Sequence, residues 1–244
     1  MSHKHIHRRF GPLFIVQHFI LFTCVLLLIL SGMPLKFPES TVARWAIALQ
    51  GGMDARRIIH HTAGHVLIIL GAFHFLYYVL FNWNPPFYKR AILPMPKDLL
   101  DMGQYMLYII GKREDPPAMG RYTWYEKFDY IGLIWGIAVM GVTGMSMLYM
   151  DVALQYIPMS WLQALWAAHS EEAMLATLFL LIIHAYHVHF NPEKFPMSLT
   201  FLHGKISHEE MAKYHPLELA EWEGKAGDEP VGETGPLSTD PGPT

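Results

Sequence analysis

Cysteine is almost absent from this sequence, because Cys24 is the only one among its 244 residues. A single thiol excludes a disulfide within the chain. It also excludes an iron–sulfur cluster or a c-type haem attachment site supplied by this chain alone. Charge is scarce as well, since Asp, Glu, Lys and Arg make up only 16% of the residues and the net charge is −3. That balance gives no indication of a nucleic-acid partner.

Apolar residues make up 52% of the chain, and the mean hydropathy is +0.21. Four apolar stretches approach the ~20 residues that a helix needs to cross a bilayer core. They are Phe14–Met33, Ile58–Phe81, Tyr130–Met150 and Met174–Phe190. We therefore expect an all-α membrane protein, with a four-transmembrane-helix bundle in residues 1–223.

Basic residues indicate how the spans are oriented. Arg8 and Arg9 precede the first stretch, as in a secretory signal peptide, but its apolar run is longer and lacks an Ala-x-Ala type cleavage site. We therefore expect a retained first span. Further basic residues lie in the long second connection and after the fourth stretch, while the third connection has none. The positive-inside rule then favours a cytoplasmic location for both termini.

Short helices and a tail are expected outside the spans. In the long connection, Pro96–Ile110 has charges near its start and apolar residues later, which is typical of a helix at the membrane interface. Val152–Trp166 is expected to form a similar helix on the other side. Ser207 and Glu210 make a capping-box pattern that predicts a helix start. The Gly- and Pro-rich residues 224–244 are predicted to form a disordered tail.

Five of the fifteen histidines lie inside or at the entrance of the apolar stretches. An ionisable side chain in hydrocarbon is costly and is a functional-site candidate by default. A rise of ~1.5 Å per residue separates the five into two depths. The outer layer holds His60 and His169, and the inner layer holds His18, His74 and His184. Since a bis-histidine site for a b-type haem needs two imidazoles from different helices at one depth, two layers predict two haems b.

Two other classes of function compete with this interpretation. Intramembrane histidines also line the paths of metal-ion or proton transporters. Such paths favour carboxylates within the spans, whereas all four stretches lack them and Asp129, Glu171 and Glu172 lie just outside. A structural anchor without a cofactor would give the histidine layers no role.

Several short motifs lie in and beside the spans. They are Gln17-His18 with Ser31-Gly32, Arg57-Ile-Ile-His60 with Gly64, Gly120-Arg-Tyr, and His169 with Ile183-His184. Through these motifs, over about residues 8–215, the chain resembles the di-haem cytochrome b membrane subunits of formate dehydrogenases, nickel–iron hydrogenases and thiosulfate reductases. The resemblance implies that His18 and His184 bind the iron of the cytoplasmic-side haem. It implies that His60 and His169 bind the iron of the outer haem.

Two features depart from the family pattern. About fourteen residues usually separate the two fourth-span ligands, whereas fifteen separate His169 from His184. The extra residue turns the second imidazole by ~100° unless a π-bulge absorbs it. His74 is additional to the formate dehydrogenase pattern and is an alternative inner ligand or part of a quinone pocket. The inner site is thus a choice of two from His18, His74 and His184, with His18 and His184 preferred.

The resemblance also implies a quinone, either menaquinone or ubiquinone, beside the cytoplasmic-side haem and near the loop before the third span. Tyr122 and Thr123 would then lie close to it, although Thr123 stands where formate dehydrogenase has an asparagine. We assign no catalytic residue, because bis-histidine ligation suits electron transfer rather than substrate chemistry.

The implied protein is a quinone-reactive cytochrome b subunit of a respiratory oxidoreductase complex. It would be a multi-pass protein of the bacterial inner membrane, surrounded by membrane lipid. Its periplasmic redox partner would be a molybdenum enzyme, a hydrogenase or a multihaem cytochrome c. Residue types do not indicate the direction of electron flow.

Overall fold

The computed structural model describes residues 6–78, 91–192, 195 and 197–228. They divide into two compact units. The span unit comprises the described residues of 16–80 and 133–198. The terminal unit comprises the described residues of 1–15, 81–132 and 199–244.

Helices dominate both units. In chain order they are α1 (Pro12–Lys36), α2 (Thr41–Leu49), α3 (Met53–Leu76), α4 (Pro96–Ile109), α5 (Trp124–Leu148), α6 (Met150–Ala153), α7 (Met159–Phe179), α8 (Thr200–His203), α9 (His208–Tyr214) and α10 (Pro216–Asp228). Two π-helical segments, Leu180–His184 and Tyr186–Phe190, continue from α7.

Four helices are long and apolar enough to cross a membrane, namely α1, α3, α5 and the continuous helix Met159–Phe190. Many of their large apolar side chains are exposed, as a lipid-facing surface requires. Backbone groups in hydrocarbon must be satisfied internally, which a helix achieves everywhere except in its first and last turns. The prediction of an all-α membrane protein with four spanning helices is confirmed.

The fourth span begins well before its apolar stretch. Its helix starts at Met159 after Pro158 at the N-cap, and no Gly or Pro follows before Phe190. The expectation of a separate interfacial helix over Val152–Trp166 is therefore wrong, because the last eight of those residues belong to the span. The predicted end of the second stretch, at Phe81, lies outside the described residues.

Polar and close apolar contacts join the helices of the span unit. The Lys36 ammonium at the end of α1 donates to Ser170 Oγ at 2.9 Å and pairs with Glu171 Oε1 at 2.8 Å. On α3, a side chain at Gly71 would meet Ile137 of α5 at 3.1 Å. The missing side chain of Gly71 therefore allows α3 and α5 to pack closely.

The terminal unit contains a small sheet that the sequence did not predict. β1 (Ile6–Arg8) pairs antiparallel with β2 (Lys205–Ser207). The chain segments before the first span and after the last one are therefore hydrogen-bonded to each other.

Two predicted helix starts in the terminal unit are confirmed. α4 begins at Pro96, and Asp98 in its first turn pairs with Lys127 of α5 at 2.9 Å. At the start of α9, the Ser207 hydroxyl accepts a hydrogen bond from the Glu210 backbone N–H at 3.1 Å. α10 extends to Asp228, beyond the predicted start of the tail, and residues 229–244 lie outside the described part.

A buried carboxylate joins three parts of the terminal unit. Glu218 of α10 pairs with Arg9 at 3.0 Å and with Arg121 at 2.8 Å, and its side chain is only 4% exposed. Burial disfavours the Arg121 charge, but Tyr122 and Glu218 outweigh that effect and raise the pKa of Arg121. Glu218 thus connects α10 to the segment before α1 and to the loop before α5.

Replacing Glu218 with Ala should destabilise the terminal unit by about 3–5 kcal/mol, because two guanidinium groups lose their buried counter-charge. Thermal unfolding of the purified protein in detergent measures this loss. The matched control is Glu221→Ala, which removes an exposed carboxylate from the same helix. Equal melting temperatures for the two variants would contradict the role given to Glu218.

Candidate functional site

His60 of α3 and His169 of α7 meet within the span unit. Their ring centroids are 6.4 Å apart with an interplanar angle of 67°, and both side chains are half-buried. Two imidazole nitrogens that share a first-row metal ion each lie about 2 Å from it, which separates the ring centroids by roughly 6 Å. The spacing of this predicted outer pair therefore suits one metal ion between the two rings.

Both rings are held through the same nitrogen. His60 Nδ1 lies 2.9 Å from Ser31 Oγ of α1, and His169 Nδ1 lies 2.9 Å from Thr143 Oγ1 of α5. A metal-binding histidine usually engages its second ring nitrogen in this way. The arrangement thus has the chemistry of an axial ligand pair.

Arg56 lies one helical turn before His60 and is 7% exposed. Its Nη1 donates to the Ser31 backbone carbonyl at 2.9 Å. Its buried Nε has no hydrogen-bond partner among the described residues. A buried guanidinium with an unused donor suits an anionic group such as a carboxylate. Since haem carries carboxylate groups, Arg56 and the imidazole pair together fit haem.

The three predicted inner histidines have their own contacts within the span unit. His18 of α1 lies within electrostatic range of His184 and His189. His74 Nδ1 lies 2.9 Å from Gln17 Oε1, so it contacts the residue that precedes His18. The structure therefore places His18 near His184 and His74 beside Gln17.

A π-helical segment, Leu180–His184, follows His169 along the fourth span and ends at His184, the second candidate ligand. Such a segment accommodates one residue more than an α-helical turn. The fifteen-residue separation of His169 and His184 then corresponds to a fourteen-residue α-helical one. The extra residue between His169 and His184 would otherwise turn the His184 imidazole by ~100° relative to His169. The π-helical segment is the feature that can absorb it.

The two candidate quinone residues lie in the terminal unit. Thr123 is 2% exposed and forms a capping box with Glu126: its backbone N–H and hydroxyl both bond to Glu126 Oε2, at 2.8 and 3.1 Å. The ring of Tyr122 lies beside the guanidinium groups of Arg9 and Arg121, at 5.8 and 5.7 Å from its centroid. Thr123 therefore stabilises the start of α5, while Tyr122 has a cationic environment.

A model of one protein family, described as prokaryotic cytochrome b561, matches residues 9–196. The chain belongs to this family. Membership implies haem b in a membrane and haem-based electron transfer, in agreement with the imidazole pair. No curated protein matches the chain in a sequence search.

Sequence reasoning missed two residues of this cytochrome b561-family site, Thr143 and Arg56. A signal for Thr143 was present, because Thr143-Gly144-Met145 repeats the pattern of Ser31-Gly32-Met33. Arg56 carried a weaker signal, since it shares a helical face with His60 at i and i+4. Its neighbour Arg57 is instead exposed and pairs with Asp54.

Arg56→Met should weaken haem binding at the outer site by about 10- to 100-fold, the loss expected for a charge-assisted hydrogen bond. Transfer of haem from the purified protein to excess apomyoglobin measures this. Arg57→Met is the matched control and should retain haem as the wild type does. Identical transfer from both variants would show that Arg56 does not bind a haem carboxylate.

Proposed function

We propose that this cytochrome b561-family protein is the membrane electron-transfer subunit of a respiratory oxidoreductase. It carries electrons between a redox partner outside the membrane and the quinone pool through two b haems. The observation that carries the proposal is the His60–His169 pair, with both Nδ1 atoms engaged and a metal-sized separation. When bound, haem supplies reversible one-electron chemistry.

His60 and His169 would hold the outer haem, and Arg56 would pair with one of its carboxylates. For the inner haem we assign His18 and His184, supported by their electrostatic proximity and by the π-helical segment before His184. In our assignment His74 is not an iron ligand. It positions Gln17, the residue before His18, through its Nδ1 contact with Gln17 Oε1.

Both termini are cytoplasmic in this proposal. The β1–β2 pairing supports a common side for the two termini. The basic residues of those segments and of the long connection support the cytoplasmic side. The outer haem then faces the periplasm of a bacterial inner membrane, where a molybdenum enzyme, a hydrogenase or a multihaem cytochrome c would exchange electrons with it.

A menaquinone or ubiquinone binds near the loop before α5. Tyr122 is the side chain that we assign to it, because its hydroxyl can donate to a quinone oxygen. Thr123 contributes by fixing the start of α5 rather than by reaching the quinone, since its hydroxyl bonds to Glu126.

The purified chain should contain two haems b, counted by pyridine haemochrome against protein concentration, and added menaquinol or ubiquinol should reduce them. Two haems per chain with quinol-dependent reduction supports the proposal. A chain that purifies folded from haem-replete cells without haem would contradict it, and so would two haems that no quinol reduces.

The inner ligands are tested in the same preparation. His18→Ala and His184→Ala should each leave one haem, whereas His74→Ala should leave two. If His74→Ala lost a haem while His18→Ala kept both, His74 would be the inner ligand and the assignment of His18 would be wrong.

A further inference from the structure

Two spans carry the same short motif, a hydroxyl residue followed by Gly and Met. The first copy is Ser31-Gly32-Met33 in α1, and the second is Thr143-Gly144-Met145 in α5. Each copy contacts one histidine of the outer pair. The two copies can therefore be compared atom by atom.

The first copy acts on His60. Ser31 Oγ donates to the Leu27 backbone carbonyl at 2.6 Å and lies 2.9 Å from His60 Nδ1. A side chain on Gly32 would stand 3.1 Å from Cε1 and 3.6 Å from Nδ1 of His60. A Cβ at this position would push the imidazole away from the α1 backbone by a few tenths of an ångström.

The second copy reproduces this geometry at His169. Thr143 Oγ1 donates to the Val139 backbone carbonyl at 2.7 Å and lies 2.9 Å from His169 Nδ1. A side chain on Gly144 would again stand 3.1 Å from Cε1 and 3.6 Å from Nδ1 of the ring. Two separate helix pairs thus hold their imidazoles in the same way.

The hydroxyl geometry indicates which ring nitrogen carries the hydrogen. Each hydroxyl has one hydrogen and donates it to the carbonyl four residues earlier, so its oxygen is left as an acceptor. It can then accept only from a protonated Nδ1. A neutral imidazole with hydrogen on Nδ1 has its lone pair on Nε2, the atom that remains for iron.

We propose that Ser31-Gly32 and Thr143-Gly144 are matched positioning elements, each of which fixes the orientation and tautomer of one outer haem ligand. This inference rests on the proposed haem between His60 and His169. A hydrogen bond from Nδ1–H makes the imidazole a more basic ligand, which favours the oxidised iron. Both elements therefore lower the reduction potential of the outer haem.

The test is a redox titration of the two haems in holoprotein variants. Thr143→Val removes the hydroxyl with little change of shape and should shift the outer haem potential to a more positive value, with two haems retained and the inner potential unchanged. Thr143→Ser keeps the hydroxyl and should therefore have the wild-type potential. Ser146→Ala is the matched control, since that hydroxyl on α5 bonds only to the Val142 carbonyl in the described structure.

The same measurement on Ser31→Ala and Ser31→Thr examines the first motif independently. The reduction potential of the outer haem in Ser31→Ala should shift in the same direction as in Thr143→Val. Ser31→Thr keeps a hydroxyl and should have the wild-type potential. A protein with two haems whose outer potential is unchanged in both Thr143→Val and Ser31→Ala would overturn the inference. That result would leave the di-haem function intact, whereas a wild type without haem would refute the function itself.

The glycines provide a second measurement that does not depend on the hydroxyls. Gly144→Ala should displace His169 and alter the low-spin EPR signal of the outer haem, or abolish binding of that haem alone. Gly132→Ala on the same helix should leave the signal unchanged, because a side chain there meets no atom within 4 Å among the described residues. An unchanged spectrum in Gly144→Ala would show that the close approach does not position the ring.

Discussion

The arrangement of the four spanning helices depends on one contact, between the imidazole rings of His60 and His169. An imidazole that binds metal through one nitrogen needs a partner for the other, and within a bilayer only another protein group can supply it. Ser31 and Thr143 are these partners, and they lie on the two spans that the histidines do not occupy. Each of the four spanning helices therefore contributes at least one residue to a single site, so none can be shifted without disturbing it.

In the terminal unit, ion pairs between side chains join the segments. A carboxylate at Glu218 neutralises Arg9 and Arg121, which come from segments far apart in the chain. Leu217 N–H also bonds to the Met119 carbonyl, and His215 Nδ1 lies 2.9 Å from the Gly120 carbonyl. The Gly120-Arg-Tyr motif is thus fixed by α10 and the residues just before it. Its position in our account, beside the quinone, depends on these contacts.

The sequence predicts the spans and the outer histidine pair because both follow from simple geometry. Apolar stretches of bilayer length give the number of spanning helices, and the rise per residue places His60 and His169 at one depth. The start of the fourth span at Met159 was missed because Glu171 falls inside the helix, where Lys36 pairs with it. Hydropathy alone treats that carboxylate as the end of a span.

Other features have a weak local signal or none. A threonine within an apolar helix satisfies its own hydroxyl on the preceding turn, so only the repeat of Ser31-Gly32-Met33 in Thr143-Gly144-Met145 selects Thr143. β1 and β2 are three residues each and pair across most of the chain, too short for an alternating pattern to predict. The π-helical segment could be anticipated only as a condition on His184, from the extra residue after His169.

The central claim is that His60 and His169 bind the same iron. Haem counting in His60→Ala, His169→Ala and the double variant tests it most directly, with optical spectra to identify the haem that is lost. We expect each single variant to retain one haem, and we expect this to be the same haem in both variants. The double variant should also retain that one haem. Loss of different haems from the two single variants, or a double variant without haem, would contradict the account.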